Sequence, residues 1–451
     1  MRQALKKVGN FFNLSRWESN RQSINRQTFF GIPSAADAAK EFTPGDRKQM
    51  LRLGRYLRDN LGVTAGLIPE MSRYSVGTDL LINSATEDSA WDELADKSFY
   101  AWCQVADVQG RFSLGQMVDM WCQSMLCDGE VFPVMRMVDD MPRIQTIYAH
   151  AVEGSDDRWV DGILYDKNGR PRAYRLTSGQ RLPASVVMHI MEPRPNRLRG
   201  VPGIAHAANN LFDLRDILSF EKQGVKLNSA IAVVLKKQLQ GNTTGNRFIG
   251  RGSESISGDD ILTLESIVGG GNVPSIGPND SLDVHRSDKT STTFQGFLEW
   301  LIRDTAIGFG VPYEFAWNAE KMSGTAQRFV MAKAQRRFSQ IQYTFSSHLK
   351  KIRAWYIATE IEAGRLPANP EFDSCEIIWP KKATVDFGRE SREEREDVAA
   401  GLRTLRDHFG DKQKDWRKEL EQIAEEKKLI QDLGIENLDT KSIDNPDTID
   451  E

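Results

Sequence analysis

Five cations fall within one short stretch of the chain: Lys321, Arg328, Lys333, Arg336 and Arg337. Ammonium and guanidinium groups neutralise phosphate or carboxylate oxygens, and neither serves as a base at neutral pH. Lys321 is the best placed to reach a phosphate, because Asn318, Ala319, Met322 and Ser323 around it are small or flexible and suit a projecting loop tip. For Arg328, Lys333, Arg336 and Arg337, a solvated face or ion pairs between subunits weighs as heavily as phosphate contact. Trp317 reads as an anchor for the base of the loop. A second basic group, Lys236 and Lys237 with Arg247, Arg251 and Arg286, is balanced by Asp259, Asp260, Glu265 and Asp283, which suits contacts between subunits.

Covalent chemistry finds no footing. The phosphate-binding pattern GxxxxGK[ST] does not occur, nor do HExxH, GxSxG or the calcium-loop spacing. Gly269-Gly270-Gly271 leads into Asn272-Val273-Pro274 and not into a helix, so it is a poor phosphate cradle. The histidines (His150, His189, His206, His285, His348 and His408) lack metal-ligand spacing. His189, within Val187-Met188-His189-Ile190, reads as a hydrogen-bonded core residue. Cys103, Cys122, Cys127 and Cys375 show no CxxC pairing and read as reduced, core-filling thiols. No catalytic residue, metal or cofactor is expected, and the protein is read as a non-enzyme.

The elements that must hold the cations are two helices and the loop between them. Phe294, Phe297, Leu298, Leu301 and Ile302 form one apolar stripe, which ends at Gly308-Phe309-Gly310-Val311-Pro312, where glycine allows a left-handed cap and proline stops the ladder. After the loop Tyr313–Ser323, no proline or glycine interrupts the chain between Gly324 and Gly364. Phe338, Ile341, Phe345, Leu349, Ile352 and Tyr356 repeat at three and four across that span. This predicts a helix of about 39 residues, roughly 58 Å, long enough to span an assembly instead of packing locally.

Upstream, helices are expected over residues 46–61, 88–108 and 114–126. A strand is expected over 131–138, confined to a sheet edge by Pro133, and a hairpin over 165–174 around Lys167-Asn168-Gly169. A helix over 204–227 should turn Leu211, Leu214, Leu218 and Val225 inward. The nine glycines from Gly241 to Gly277 suit a small strand-and-loop module with strands at 231–235, 261–267 and 282–285. Residues 376–379 read as a returning strand. A charged helical hairpin follows, with Leu402, Leu405 and Phe409 before Gly410 and Leu420, Ile423 and Leu429 after it. Residues 1–45 are read as extended along a neighbour, and the acidic 434–451 as loosely attached.

Ordered motifs within this frame resemble a known family. Ala306-Ile307-Gly308-Phe309-Gly310-Val311-Pro312-Tyr313-Glu314, then Ser323-Gly324-Thr325-Ala326-Gln327-Arg328, are similar to the portal proteins of tailed bacteriophages, lambda-type branch. Asp161-Gly162-Ile163-Leu164-Tyr165 through Gly169-Arg170-Pro171-Arg172-Ala173-Tyr174 resembles the family's hairpin, and Arg199-Gly200-Val201-Pro202-Gly203 follows in its usual order. At the loop exit the family has Tyr-Ser-Ser-Ala-Arg where this chain has Ser323-Gly324-Thr325-Ala326-Gln327-Arg328.

The resemblance implies an α+β portal fold. Its parts would be an N-terminal arm and wing (1–203), a stem helix (204–228), a small mixed clip (229–292), a second stem helix with tunnel loop (293–323), a long channel helix returning to the wing (324–388) and a helical crown with acidic tail (389–451). It implies a homo-oligomeric ring, a dodecamer, at one capsid vertex of the virion, assembled in the host cytoplasm. The ring would be a head-tail connector and a channel for viral genome packaging and ejection. Partners would be double-stranded DNA without sequence preference, the terminase large subunit, major capsid and scaffold proteins and a head-tail adaptor, with no membrane. Asn318, Glu320, Lys321, Met322, Ser323 and Arg328 would belong to the tunnel loop and channel. Lys333, Arg336, Arg337, Lys236 and Lys237 would face the channel or a neighbouring subunit.

The 451 residues exceed one ordinary core, and 40% apolar with 27% charged residues is a globular balance. No apolar run reaches the roughly 18–20 residues of a membrane span. Net charge is −4, which fits a conduit through which DNA slides, since each phosphate ion pair adds grip by releasing counterions. Residues 386–451 hold 20 acidic against 12 basic side chains. Two rivals stand beside this reading: a DNA-processing enzyme of the packaging machinery (nuclease or ATPase) and a helical scaffold with no nucleic-acid role.

Overall fold

The computed structural model describes residues 42–154, 156, 158–195, 197–239, 292–317, 322–382, 387–410, 412, 414 and 416–433. It opens on helix α1 (Pro44–Asn60), whose start is fixed by a reciprocal cap. Thr43 accepts from the Asp46 amide, Asp46 accepts from the Thr43 amide, and Pro44 fills the first turn. Leu61 ends α1 and caps α2 (Gly62–Ser75), a helix that the glycines at 62 and 66 and Pro69 conceal from sequence reading. Burial of Leu67, Ile68 and Met71 outweighs the hydrogen bond that Pro69 forfeits.

Strand β1 (Leu81–Ser84) leads to α3 (Ser89–Cys103), capped by the Asp88 carboxylate on the Ala90 and Trp91 amides and ending five residues short of the expected 108. Helix α4 (Leu114–Asp128) carries a Ser113/Gln116 capping box and stops at Gly129, at φ +92°. Then come β2 (Glu130–Val138), β3 (Met141–Tyr148), β4 (Trp159–Val160), β5 (Ile163–Tyr165), β6 (Pro171–Arg175), β7 (Arg181–Pro183) and β8 (Ile190–Met191). They form two antiparallel sheets, ordered β3-β2-β8 and β4-β5-β6-β7.

β2 is therefore central, which corrects the edge placement drawn from Pro133. Met188 donates to the Pro133 carbonyl, and in extended chain a residue's N and O point to the same side. The proline's missing N–H thus faces residues 187–188, where β8 pairing has given way to an isolated bridge. The 165–174 hairpin forms as expected. Its turn is closed by Gly169 N–H on Asp166 O, Gly169 alone among its residues takes a positive φ (+76°), and the Asp166 carboxylate holds the Asn168 and Arg170 amides.

Helix α5 (Ala208–Leu239) is longer than expected at both the count and the content. The β-branched run Ile231-Ala232-Val233-Val234-Leu235 reads as a strand, yet it continues the helix, since local propensity is a weak force against a ladder already propagating. The strands expected at 261–267 and 282–285 lie outside the described residues. α6 (Thr292–Gly308), the short turn α7 (Tyr313–Ala316) and α8 (Gly324–Glu362) follow.

α8 runs 39 residues, and Phe338, Ile341, Phe345, Leu349, Ile352 and Tyr356 are all buried. From Ala334 onward this helix is the backbone of the chain's own main core, against Met71, Trp91, Phe99 and Trp102, so most of its length is a local packing unit and not only a span. β9 (Cys375–Ile378) returns to pair antiparallel with β1. The chain then forms α9 (Phe387–Ala399), α10 (Leu405–Gly410) and α11 (Trp416–Asp432). No helix among the described residues is long and apolar enough to cross a membrane.

Candidate functional site

Of the five cations, Arg328, Lys333, Arg336 and Arg337 lie in the first half of α8, beyond the junction where α6 ends and α7 turns. α6 meets α5 through Leu301, Ile302 and Ala306 against Leu211 and Leu214, and Asn210 Nδ2 donates to Asp304 Oδ2 at 2.7 Å. Val225, expected inward, is exposed. Gly308 lies so close to His206 that a Cβ there would sit 1.6 Å from Nε2. This allows His206 to span Gly203 O (2.6 Å) and Thr305 O (3.2 Å). Gly310 takes φ +84° and turns the chain into Val311-Pro312.

The loop base is fixed by Phe315, not Trp317. Phe315, Tyr74 and Phe338 form an aromatic triangle with ring centres 5.3–5.6 Å apart. Trp317 stands 51% exposed, because its position one step beyond α7 turns it away from that triangle. Arg303 lies over the Tyr313 ring at 4.9 Å.

Asn318, Glu320 and Lys321 lie outside the described residues. Met322 is half-buried, and Ser323 caps α8 by accepting from the Ala326 amide at 3.4 Å. Arg328, Lys333 and Arg336 are exposed on α8. Arg337 is turned inward: Nε donates to Phe309 O at 2.8 Å, and NH1 reaches Gln340 Oε1 (3.1 Å) and forms an ion pair with Glu192. Three elements are joined by this one side chain. Lys236 and Lys237 sit near the end of α5, just past the segment 231–235 where a strand was expected.

A second charged constellation escaped the sequence reading. Glu130, wholly buried at the start of β2, accepts from Arg199 Nε at 2.9 Å, from the Gly200 amide at 2.8 Å and from His189 Nε2 at 2.9 Å. Arg47 from α1 grips Asp161 through Nε (2.6 Å) and NH2 (2.9 Å), and Arg199 NH1 lies 3.3 Å from the same carboxylate. Burial pushes the Glu130 carboxyl up, but Arg199 and His189 outweigh it and hold it well below the usual range. A Cβ on Gly200 would meet Gly129 O at 2.2 Å, so the two chain segments touch backbone to backbone. These pairs explain the Asp161-Gly162 and Arg199-Gly200 motifs. Their partners lie 38 to 114 positions apart along the chain, which no spacing pattern reveals.

Burial pushes the Cys122 and Cys127 thiols up to about 12, as suits core thiols. Burial, reinforced by His189 and Lys351, lowers His348 to about 4. Among the described residues no group of three or more His, Cys, Asp or Glu is placed to hold a metal ion.

Two packed helices, a glycine-proline turn and a long core helix, carried on small antiparallel sheets, make a mixed α/β protein. The profile described as phage portal protein, lambda family, matches residues 27–342, and the chain belongs to that family. Several solved structures resemble it, three of which follow. The neck of an empty GTA particle computed with C6 symmetry gives a TM-score of 0.42 at 14% identity, covering 79% of this chain and 89% of that one. The virion of a native gene transfer agent particle gives 0.40 at 16% identity, with the same coverage of both chains. The neck of a native GTA particle computed with C12 symmetry gives 0.40 at 14%, covering 80% and 91%. No protein of curated function matches the sequence.

Proposed function

We propose that this chain assembles into a closed ring, a dodecamer, at one capsid vertex, and that the ring is the conduit for double-stranded DNA during packaging and ejection. The observation that carries the reading is the α5–α6 pair of a portal-family chain, which leaves large apolar side chains exposed among its polar ones. Phe220 and Val225 on α5 and Phe297 and Trp300 on α6 are exposed, and Phe297 stacks on Trp300. Such a face in a single subunit calls for a neighbour, and heterologous contacts that close under rotation make rings.

On this reading residues 1–203 are arm and wing, 204–228 and 293–323 stem and tunnel loop, 229–292 clip, 324–388 the long helix with its return, and 389–451 crown and tail. Lys321 and Arg328 are the phosphate neighbours at the loop. Terminase large subunit and head-tail adaptor dock on the clip side, capsid and scaffold proteins on the wing. The work is mechanical and electrostatic, without a catalytic group.

Sedimentation and negative-stain imaging of the purified protein test this directly. Rings with a central hole, at about twelve times the 51.0 kDa subunit mass, are expected. A monodisperse 51.0 kDa species at micromolar concentration and physiological salt would sink the proposal. Deleting Ala319–Met322 should leave rings intact and impair DNA retention; normal packaging by that variant would remove the loop from the channel.

A further inference from the structure

Between Gly324 and Thr359, α8 carries Arg328, Lys333, Arg336, Arg337, Lys350, Lys351 and Arg353 and no carboxylate at all. Three of these cations are committed inside the subunit: Arg337 to Glu192, Arg353 to Asp96, and Lys351 to Ser185 O. Opposite the buried stripe of α8 runs a second one, spaced by three and four: Phe329, Lys333, Arg336, Gln340, Tyr343, Ser347 and Lys350, every member exposed. It is about 32 Å long at 1.5 Å per residue. Phe329 is 73% and Tyr343 84% exposed, and Lys333, Arg336 and Lys350 have no carboxylate partner among the described residues. A helix face that is aromatic and purely cationic is complete only against something acidic and partly apolar.

The chain itself holds such a surface. On α11, Glu421, Glu425 and Leu429, with Leu433 just beyond the helix, recur every four residues on one face, and all are exposed. Neither glutamate has an ion-pair partner among the described residues. The helix is held to its own subunit elsewhere, by Arg417 near Asp92 (3.9 Å), while Arg406 of α10 pairs with Glu376 (2.7 Å). The acid-and-leucine face is left outward.

We propose that the cationic stripe of α8 in one subunit receives the Glu421/Glu425/Leu429/Leu433 face of a second copy. The contact rests on the ring reading above and names two surfaces that would close it. Charge complementarity selects this occupant, and the exposed leucines match Phe329 and Tyr343. DNA is the weaker fit: three unshared cations repeated in every subunit would grip a duplex by counterion release, against the sliding a conduit requires.

The test uses the full chain in three forms: wild type, K333E/R336E, and K333E/R336E/E421K/E425K, with subunit exchange followed in mixed rings over a salt series. Placing like charges opposite each other costs several kcal/mol, so exchange should quicken about tenfold or more in the first variant and return towards wild type in the second. Zero-length carbodiimide crosslinking of isotopically mixed wild-type rings gives a reading that needs no variant. Links between subunits from Lys333 or Lys350 to Glu421 or Glu425 are expected. Unchanged exchange in K333E/R336E, or rings that link those lysines only elsewhere, overturns the contact while leaving the ring. Unchanged exchange with lost DNA retention also overturns it and assigns the stripe to DNA. A wild-type chain that never forms rings removes the ring reading first, and this contact with it.

Discussion

The sheet region and the α5–α6 pair of this chain handle their difficult groups in opposite ways. Around β2, four ionised side chains (Arg47, Glu130, Asp161 and Arg199) are nearly wholly buried, yet each is satisfied by the others, by His189 or by backbone groups of the same subunit. On α5 and α6, Phe220, Phe297 and Trp300 are ordinary apolar residues left exposed. The buried charges are completed within the chain, whereas on the proposed ring reading the exposed rings are completed by a neighbour. Mutations should then act through folding in the first region and through assembly in the second.

The strongest way to break that contrast is Arg199→Leu. It leaves Glu130 buried with only His189 and the Gly200 amide, and losing one partner of a buried pair costs about 3–5 kcal/mol. A marked drop in thermal midpoint, or insoluble expression, is expected; an unchanged melt would show that the network is dispensable.

Acid should act next, on Glu130 at the start of β2 and on His348 of α8. Glu130 has a folded-state pKa below its free value of 4.5, so its contribution is complete above that pH and fades as pH falls beneath it. His348 is lowered from 6.5 to about 4, so the unfolded chain takes up a proton that the fold refuses, and stability is lost as pH falls from 6.5 towards 4. Thermal midpoints should decline across both windows. His348→Gln should flatten the decline between pH 6.5 and 5; an identical profile in the variant would remove His348 from the account.

On α6, Phe297→Ser with Trp300→Ser should change subunit stability by no more than about 0.5 kcal/mol, as exposed substitutions do. The same pair should shift the sedimentation profile from rings towards single subunits. A large fall in midpoint with rings intact would invert the comparison. The smallest effect on folding belongs to Lys321→Glu, because a charge on a loop contributes little to stability. Its consequence should be confined to DNA retention, read by filter binding of linear duplex to isolated rings over a salt series. Nanomolar, salt-resistant binding by the wild type would instead favour a gripping enzyme.

The same contrast explains what the sequence made legible. The length of α8 could be read because no glycine or proline falls between Gly324 and Gly364 and its core stripe is regular. The Gly308–Pro312 turn was equally plain. What escaped was anything decided by distant partners. The β-branched run at 231–235 is helix because it extends α5, and Pro133 is central because the neighbouring pairing has already failed at that point. Trp317 yielded the anchor to Phe315 because Phe315 lies within α7 and Trp317 just past its end, which decides which ring meets Tyr74. Glu130 with Arg199, and Arg47 with Asp161, pair across 69 and 114 positions, where chain spacing carries no signal. Of the six residues named at the loop, Met322 and Ser323 precede α8 and Arg328 lies near its start, while Asn318, Glu320 and Lys321 lie outside the described residues.

The burial of α8 is uneven, and that gives it a mechanical character. From Ala334 to Glu360 the helix is embedded, whereas Gly324–Lys333 has no fully buried residue. These ten residues, about 15 Å of helix, are held less firmly than the rest, with Ala326, Gln327, Val330 and Met331 only half-buried. Arg337 stands where the embedded part begins, tied to Phe309 and Glu192. A sideways load on the start of the helix would be felt first at those two ties, in the turn that ends α6 and in the segment that follows β8. Replacing Arg337 should let the same load bend the helix start further.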